Sequence, residues 1–265
     1  MGKIATYLFL DVQSTGYPGS THGEVRITEL CMIAVKKLDV KKSKDEPRIQ
    51  YKFRLCFNPE KRVEEQISQQ NGLTQAVLKS EAKFNNDVYS GINSFIKCLM
   101  KPVCMIAHNA FKLHFPLLKY HINKMQAALP DDLLCTDSIY CFYDIFNTEI
   151  YTEPRENTEE NCNKAEENES FNSGARKSDE DQIKRHMKGQ SYENLVQSVF
   201  YEVAPKELYN LSHVYRSVTT GNLGKYSAEN NCRMIMKIAI ENSDRFIEWV
   251  ELNHCPFSQV PITAM

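Results

Sequence analysis

Residues 7–16 read YLFLDVQSTG. Tyr7, Leu8, Phe9 and Leu10 form an apolar run with no polar alternation. Such a run predicts a strand buried on both faces, over residues 4–12 (IATYLFLDV). The run ends on an acid, Asp11, and a small-residue turn with Gly16 follows. A carboxylate at the end of a buried strand is costly to desolvate unless something compensates it. Side chains two residues apart share one face of a strand. Position 13 is therefore where a second acid would join Asp11 to hold a cation, and the residue there is Gln13.

Composition narrows the class. The 265 residues carry a formal charge of −2 and are 42% hydrophobic, enough for one sizeable α/β domain or at most two small ones. No stretch approaches the roughly 18 apolar residues of a membrane span. The first residues lack the apolar core and small-residue cleavage site of a signal peptide. These features predict a soluble cytoplasmic or nuclear protein with no membrane partner. The nine cysteines include no CxxC pair, and most sit in apolar runs, so buried thiols in a reducing compartment are expected. Near-neutral charge argues against a general polyanion binder, although Lys36, Lys37, Lys41, Lys42 and Lys44, or Lys184, Arg185 and Lys188, form local basic groups.

Three strands are predicted first: 4–12, 25–38 and the alternating 47–58, where Ile49, Tyr51, Phe53, Leu55 and Phe57 share a face. The charged link 39–47 (DVKKSKDEP) reads as a solvated hairpin connection. The pattern then turns helical over 85–100, with Val88, Ile92, Phe95, Ile96 and Leu99 on one stripe. A short strand at 103–109, a helix at 115–129 and a strand running into a helix at 133–142 complete a mixed α/β domain. Residues 151–190 hold ten acidic and seven basic side chains and few large apolar ones, and read as a disordered acidic insertion. It divides an N-terminal part, 1–150, from a helical C-terminal part, 191–265, with helices expected at 192–200, 208–217 and 228–252.

The segments FLDVQSTG, ITELCMIAV, NGLTQAVL, IAHNAF, HFPLL, CTDS, YNLSHVY, YSAENN and FIEWVELNHCPF follow one another in an order that resembles the three-prime repair exonuclease (TREX) family of the DEDDh class. The resemblance spans nearly the whole chain outside 151–190. It implies an RNase H-like exonuclease fold, with a five-stranded mixed sheet flanked by helices. It also implies a homodimer joined along an edge strand, here 47–58. The family's chemistry is hydrolysis by two metal ions held by four carboxylates, with a histidine as general base. Residue by residue, those slots fall on Asp11, Gln13, His114 and Asn231 for the carboxylates and on Tyr226 for the base. Four of the five are substituted, and YSAENN keeps the frame of the last motif without its chemical residues. Asp11 alone is at most a partial metal site.

Two divalent cations need about four negative charges to offset their desolvation and mutual repulsion. This set supplies one. The resemblance therefore implies a pseudo-exonuclease with no working catalytic residues. No cofactor is expected, with Mg²⁺ or Mn²⁺ entering only if residual 3′–5′ exonuclease activity persists. Single-stranded DNA or RNA is the expected partner, contacted by Ser14, Thr15, Gly16 and Tyr17 and flanked by His108 and Asn109. A protein-interaction or dimerisation scaffold is the competing expectation. Glu29 and Asp137 read as structural hydrogen-bonding acids, Asp137 near a helix start.

Overall fold

The computed structural model describes residues 3–17, 24–147, 210–222 and 224–262. Strand β1 (Thr6–Ser14) is buried along its whole length, as its unbroken apolar run requires. It is an interior strand of a six-stranded mixed sheet ordered β3-β2-β1-β4-β5-β6. β1 pairs antiparallel with β2 (Ile27–Lys36), and β2 pairs antiparallel with β3 (Tyr51–Cys56). On its other side β1 runs parallel to β4 (Val103–Ala107), which runs parallel to β5 (Leu134–Asp137). The sixth strand, β6, is only Cys255–Pro256, antiparallel to β5. Two residues leave no periodic signal, so the sequence suggests five strands.

The first three strands form the expected meander, with one correction. The charged link after β2 is not a bare hairpin connection, because Lys37–Lys42 form helix α1. Of its two apolar side chains Val40 is fully buried and Leu38 is exposed, and Lys41 pairs with Asp244 at 3.0 Å. Between β3 and β4 lie α2 (Glu65–Asn71), α3 (Gln75–Leu78) and α4 (Asn86–Lys97). The first two are too short to show a periodic stripe. α4 carries the stripe read from sequence, and the Asn85 side chain accepts from the Asp87 and Val88 amides to cap it. After β4, a π-helical turn (Ala110–His114) leads into α5 (Phe115–Lys124). α5 stops short of the expected 129, where Gln126 takes φ 53°.

α6 (Ser138–Asn147) follows β5 directly. Past the gap in the described residues come α7 (Leu211–Val218), α8 (Ala228–Glu241) and α9 (Ser243–Leu252). The stretch 228–252 is thus a pair of helices. The expected insertion 151–190 and the expected helix at 192–200 lie outside the described residues. The described parts on either side share one hydrophobic core. α8 lies across β1 and β2, and Phe246 of α9 meets Tyr7 edge-on at 5.5 Å and Phe9 at 6.5 Å. Among the described residues no helix is long and apolar enough to cross a membrane.

Phe246 is fully buried between the two aromatic rings of β1. Phe246→Ala is expected to lower unfolding free energy by about 3–5 kcal/mol in urea denaturation, whereas Leu38→Ala, at a side chain 59% exposed, leaves the midpoint within about 0.5 kcal/mol.

Candidate functional site

Asp11 lies near the end of β1, 3% exposed, with both carboxyl oxygens engaged. Gln13 Nε2 donates to Oδ2 at 2.5 Å. Asn231 Nδ2, from the first turn of α8, donates to Oδ1 at 3.1 Å. His114 Nε2 lies 3.7 Å from the same oxygen. The Val12 amide donates to His114 Nδ1 at 3.2 Å, so the ring is a neutral tautomer with its hydrogen on Nε2, facing Asp11. Burial pushes the Asp11 carboxyl up to about 7 and the His114 imidazole down to about 4. At neutral pH their contact is therefore not an ion pair.

Gln13 is held from behind, where Asn71 Nδ2 at the end of α2 reaches its Oε1 at 3.5 Å. Its amide nitrogen, not its oxygen, therefore faces Asp11. Asn231 is 5% exposed, and its Oδ1 has no hydrogen-bond partner. Tyr226, just before α8, keeps its ring 37% exposed while its hydroxyl sits against Asn231 and Gln13. Burial first, and then the nearby Asp11 charge, push that hydroxyl up. All five positions carried over from the resemblance thus meet at one point.

The π-helical turn that delivers His114 has its own anchor. Asn109 takes φ 60°, and the Asp137 carboxylate accepts from the Phe111 amide at 3.2 Å and the Ile139 amide at 3.0 Å. Burial still pushes Asp137 up to about 6 against those bonds. His108 Nδ1 bonds Ser138 Oγ at 2.9 Å, so it faces the start of α6.

Glu29, 1% exposed on β2 opposite Gln13, accepts from the Ala228 amide at the first residue of α8, at 3.0 Å. Its other oxygen accepts from Arg54 of β3 at 2.7 and 2.8 Å. A buried carboxylate at a helix N-terminus is favoured by the unpaired amides and the helix dipole. This contact sets where α8 begins and hence where Asn231 and Tyr226 stand. Sequence reading foresaw a structural role for Glu29 but had no signal for Arg54 or Asn71, because each bond joins separate elements.

The turn after β1 is pinned too. Ser14 Oγ donates to the Gly16 carbonyl at 2.7 Å, the Glu64 amide donates to the Thr15 carbonyl at 2.8 Å, and a Cβ on Gly16 would strike the Glu64 side chain. Ser14 and Thr15 are buried, whereas Tyr17 is 56% exposed at the mouth.

The donor set does not fit two divalent cations. It offers one carboxyl, one amide nitrogen turned inward, one imidazole and one orphan amide oxygen, and the carboxyl already accepts N–H bonds. Among the described residues no group of three or more His, Cys, Asp or Glu is placed to hold a metal ion.

No family model matches the chain. It is 32% identical over 151 residues to Three-prime repair exonuclease 1 of Bos taurus, covering 52% of this chain and 47% of that protein. It is 30% identical over 146 residues to Three prime repair exonuclease 2 of Mus musculus, covering 52% and 61%. The chain spans about half the length of the curated relatives it matches. Among solved structures, a full-length 3′-exonuclease superposes with TM-score 0.58 at 9% identity, over 96% of this chain and 86% of that one. The zinc-bound E. coli ExoI–ssDNA complex gives 0.52 at 10% identity, over 93% and 43%. These superpositions establish a shared fold.

A carboxyl whose folded pKa is raised holds its proton more tightly folded than unfolded. Asp11 therefore favours the fold most below about pH 4, and that contribution is lost as pH rises towards 7. His114 acts oppositely, costing stability as pH falls from 6.5 towards 4. Asp11→Asn removes the first effect. Its stability advantage over the natural protein is expected to be near zero at pH 4 and to grow by on the order of 3–4 kcal/mol by pH 7.5, read by denaturation across that range.

Proposed function

We propose that this TREX-like chain is a catalytically inactive exonuclease homologue that holds single-stranded nucleic acid without cutting it. The observation that carries the reading is the capture of Asp11 by Gln13, Asn231 and His114, where a metal-dependent nuclease needs further carboxylates. Losing one catalytic group commonly costs several orders of magnitude in rate, and here four differ. The same substitutions remove negative charge from a pocket that phosphates would otherwise be repelled from.

Binding is supported by what surrounds the pocket. Tyr17 and Tyr226 offer exposed rings for a base to stack on. Lys112 on the π-helical turn and Lys225 beside Tyr226 are exposed and bring positive charge to the rim. ExoI, whose fold this chain shares, was solved with single-stranded DNA. Of the other positions expected from the sequence, Asn109 is half-buried and remains a proposed contact, whereas Ser14, Thr15, Gly16 and His108 are buried and shape the pocket from behind.

A second reading, self-association, is favoured by β3. It is an edge strand, and Ile49 just before it and Tyr51 and Leu55 on it are 55%, 44% and 41% exposed. An open edge with apolar side chains is a template for pairing with a second copy. Sedimentation of the natural chain is expected to give a dimer, and Leu55→Lys a monomer.

The decisive assay follows 5′-labelled single-stranded DNA and RNA with Mg²⁺ or Mn²⁺, and anisotropy in EDTA at two salt concentrations. The expected result is intact oligomer and binding that weakens with salt, with Tyr17→Ala costing about tenfold or more in affinity, the loss of one stacked base. Shortening from the 3′ end that disappears in Asp11→Ala would instead reveal a residual exonuclease. Neither cleavage nor binding would leave the scaffold reading.

A further inference from the structure

Eight cysteines in the described residues are free thiols. Two face each other. Cys135 of β5 and Cys255 of β6 are directly opposite in the antiparallel register, their sulfurs are 3.7 Å apart, and both are fully buried. We infer that Cys135 and Cys255 form a peroxide-driven disulfide that fastens β6 to the sheet.

The geometry asks for little movement. Residues opposite one another in an antiparallel pair have Cα atoms roughly 4.5–5.5 Å apart. A disulfide spans roughly 4.4–6.8 Å between Cα atoms with sulfurs about 2.05 Å apart. Rotation of the two side chains closes the difference. The chemistry balances with a hydroperoxide as oxidant. One thiol, deprotonated, attacks the peroxide oxygen, breaking the O–O bond and giving a sulfenic acid and hydroxide, which takes up the released proton as water. The second thiol then attacks the sulfenic sulfur, forming the S–S bond and expelling water. With hydrogen peroxide, two thiols and one oxidant become one disulfide and two waters.

Access to the pair runs through β6. Burial pushes the Cys135 thiol well above its usual range, so the closed state protects it. But β6 is two residues long and lies at the edge of the sheet. Around it the Thr136 hydroxyl donates to the Asn253 carbonyl at 2.6 Å, the Phe257 amide to the Leu133 carbonyl at 2.8 Å, His254 Nδ1 to the Val250 carbonyl at 2.9 Å, and Lys119 Nζ to the Ser258 and Val260 carbonyls, while Phe257 meets Phe115 edge-on at 5.7 Å. A two-residue edge strand opens locally at lower cost than the interior strands of the same sheet. Cys31 and Cys232 are a buried pair of another kind, set between β2 and α8 where no short element opens. They stay reduced while Cys135 and Cys255 react.

The bond would close a separation of 120 residues along the chain. Loops of that size restrict the unfolded chain strongly, so the oxidised protein is expected to melt about 5–10 °C higher. The test treats the full chain with hydrogen peroxide, blocks remaining thiols after denaturation and maps peptides without reductant. The expected result is a Cys135–Cys255 crosslink with Cys31 and Cys232 alkylated, and a rise in melting temperature that dithiothreitol reverses. Cys255→Ser is expected to lose both. If that variant fails to fold, the map of the natural chain stands alone. A map in which Cys135 and Cys255 remain alkylated while other thiols have oxidised, or a crosslink at Cys31–Cys232 instead, would overturn the inference.

Discussion

A carboxylate at the end of a fully buried strand cannot be left unanswered, and the way Asp11 is answered organises the molecule around it. Its two oxygens accept from an amide of its own strand and an amide of α8, and an imidazole from the π-helical turn lies 3.7 Å away. Metal ions would satisfy the same charge through further acids. Here neutral donors do it, and the environment raises the carboxyl's own affinity for a proton. Hydrogen bonds inside a low-dielectric pocket are strong when complete and costly when partial. Such a network therefore favours one arrangement of β1, the turn and α8.

Glu29 completes this arrangement from one strand away. It takes the first amide of α8 and the Arg54 guanidinium at once, so the helix start, the second strand and the edge strand meet on one carboxylate. Glu229 of α8 continues the link outward to Lys52 and Arg54 of β3. The pocket and the exposed edge are thus mechanically joined. A partner strand laid along β3 would contact the strand whose arginine helps hold α8 in place.

Much of this was readable in advance. The unbroken run at 7–10 gives both strand and burial from periodicity, and the order of short motifs located all five pocket positions; the alternation at 49–57 gives a strand but not its burial, because Ile49, Tyr51 and Leu55 lie exposed at the sheet edge. What escaped reading lacked either length or locality. α1 is mostly charged and shows only Val40 as an apolar anchor; β6 is too short to have a period. The π-helical turn arises from Asn109 and from Asp137, which lies beyond the intervening helix. Asn71, Arg54 and their bonds join elements whose docking no local pattern encodes.

Asp11 and Asn231 are separated by 220 positions, and α8 covers the face of β1 that carries their bond. Contacts of such span form late, because a long stretch of chain must be gathered before any of its cost is returned. As the chain leaves the ribosome, β1 precedes α8 and remains uncovered on that side until α8 has been made. β2 and β4 are made in that interval and can pair both of its edges, but the apolar face that α8 covers stays exposed, the condition under which nascent chains engage holding chaperones.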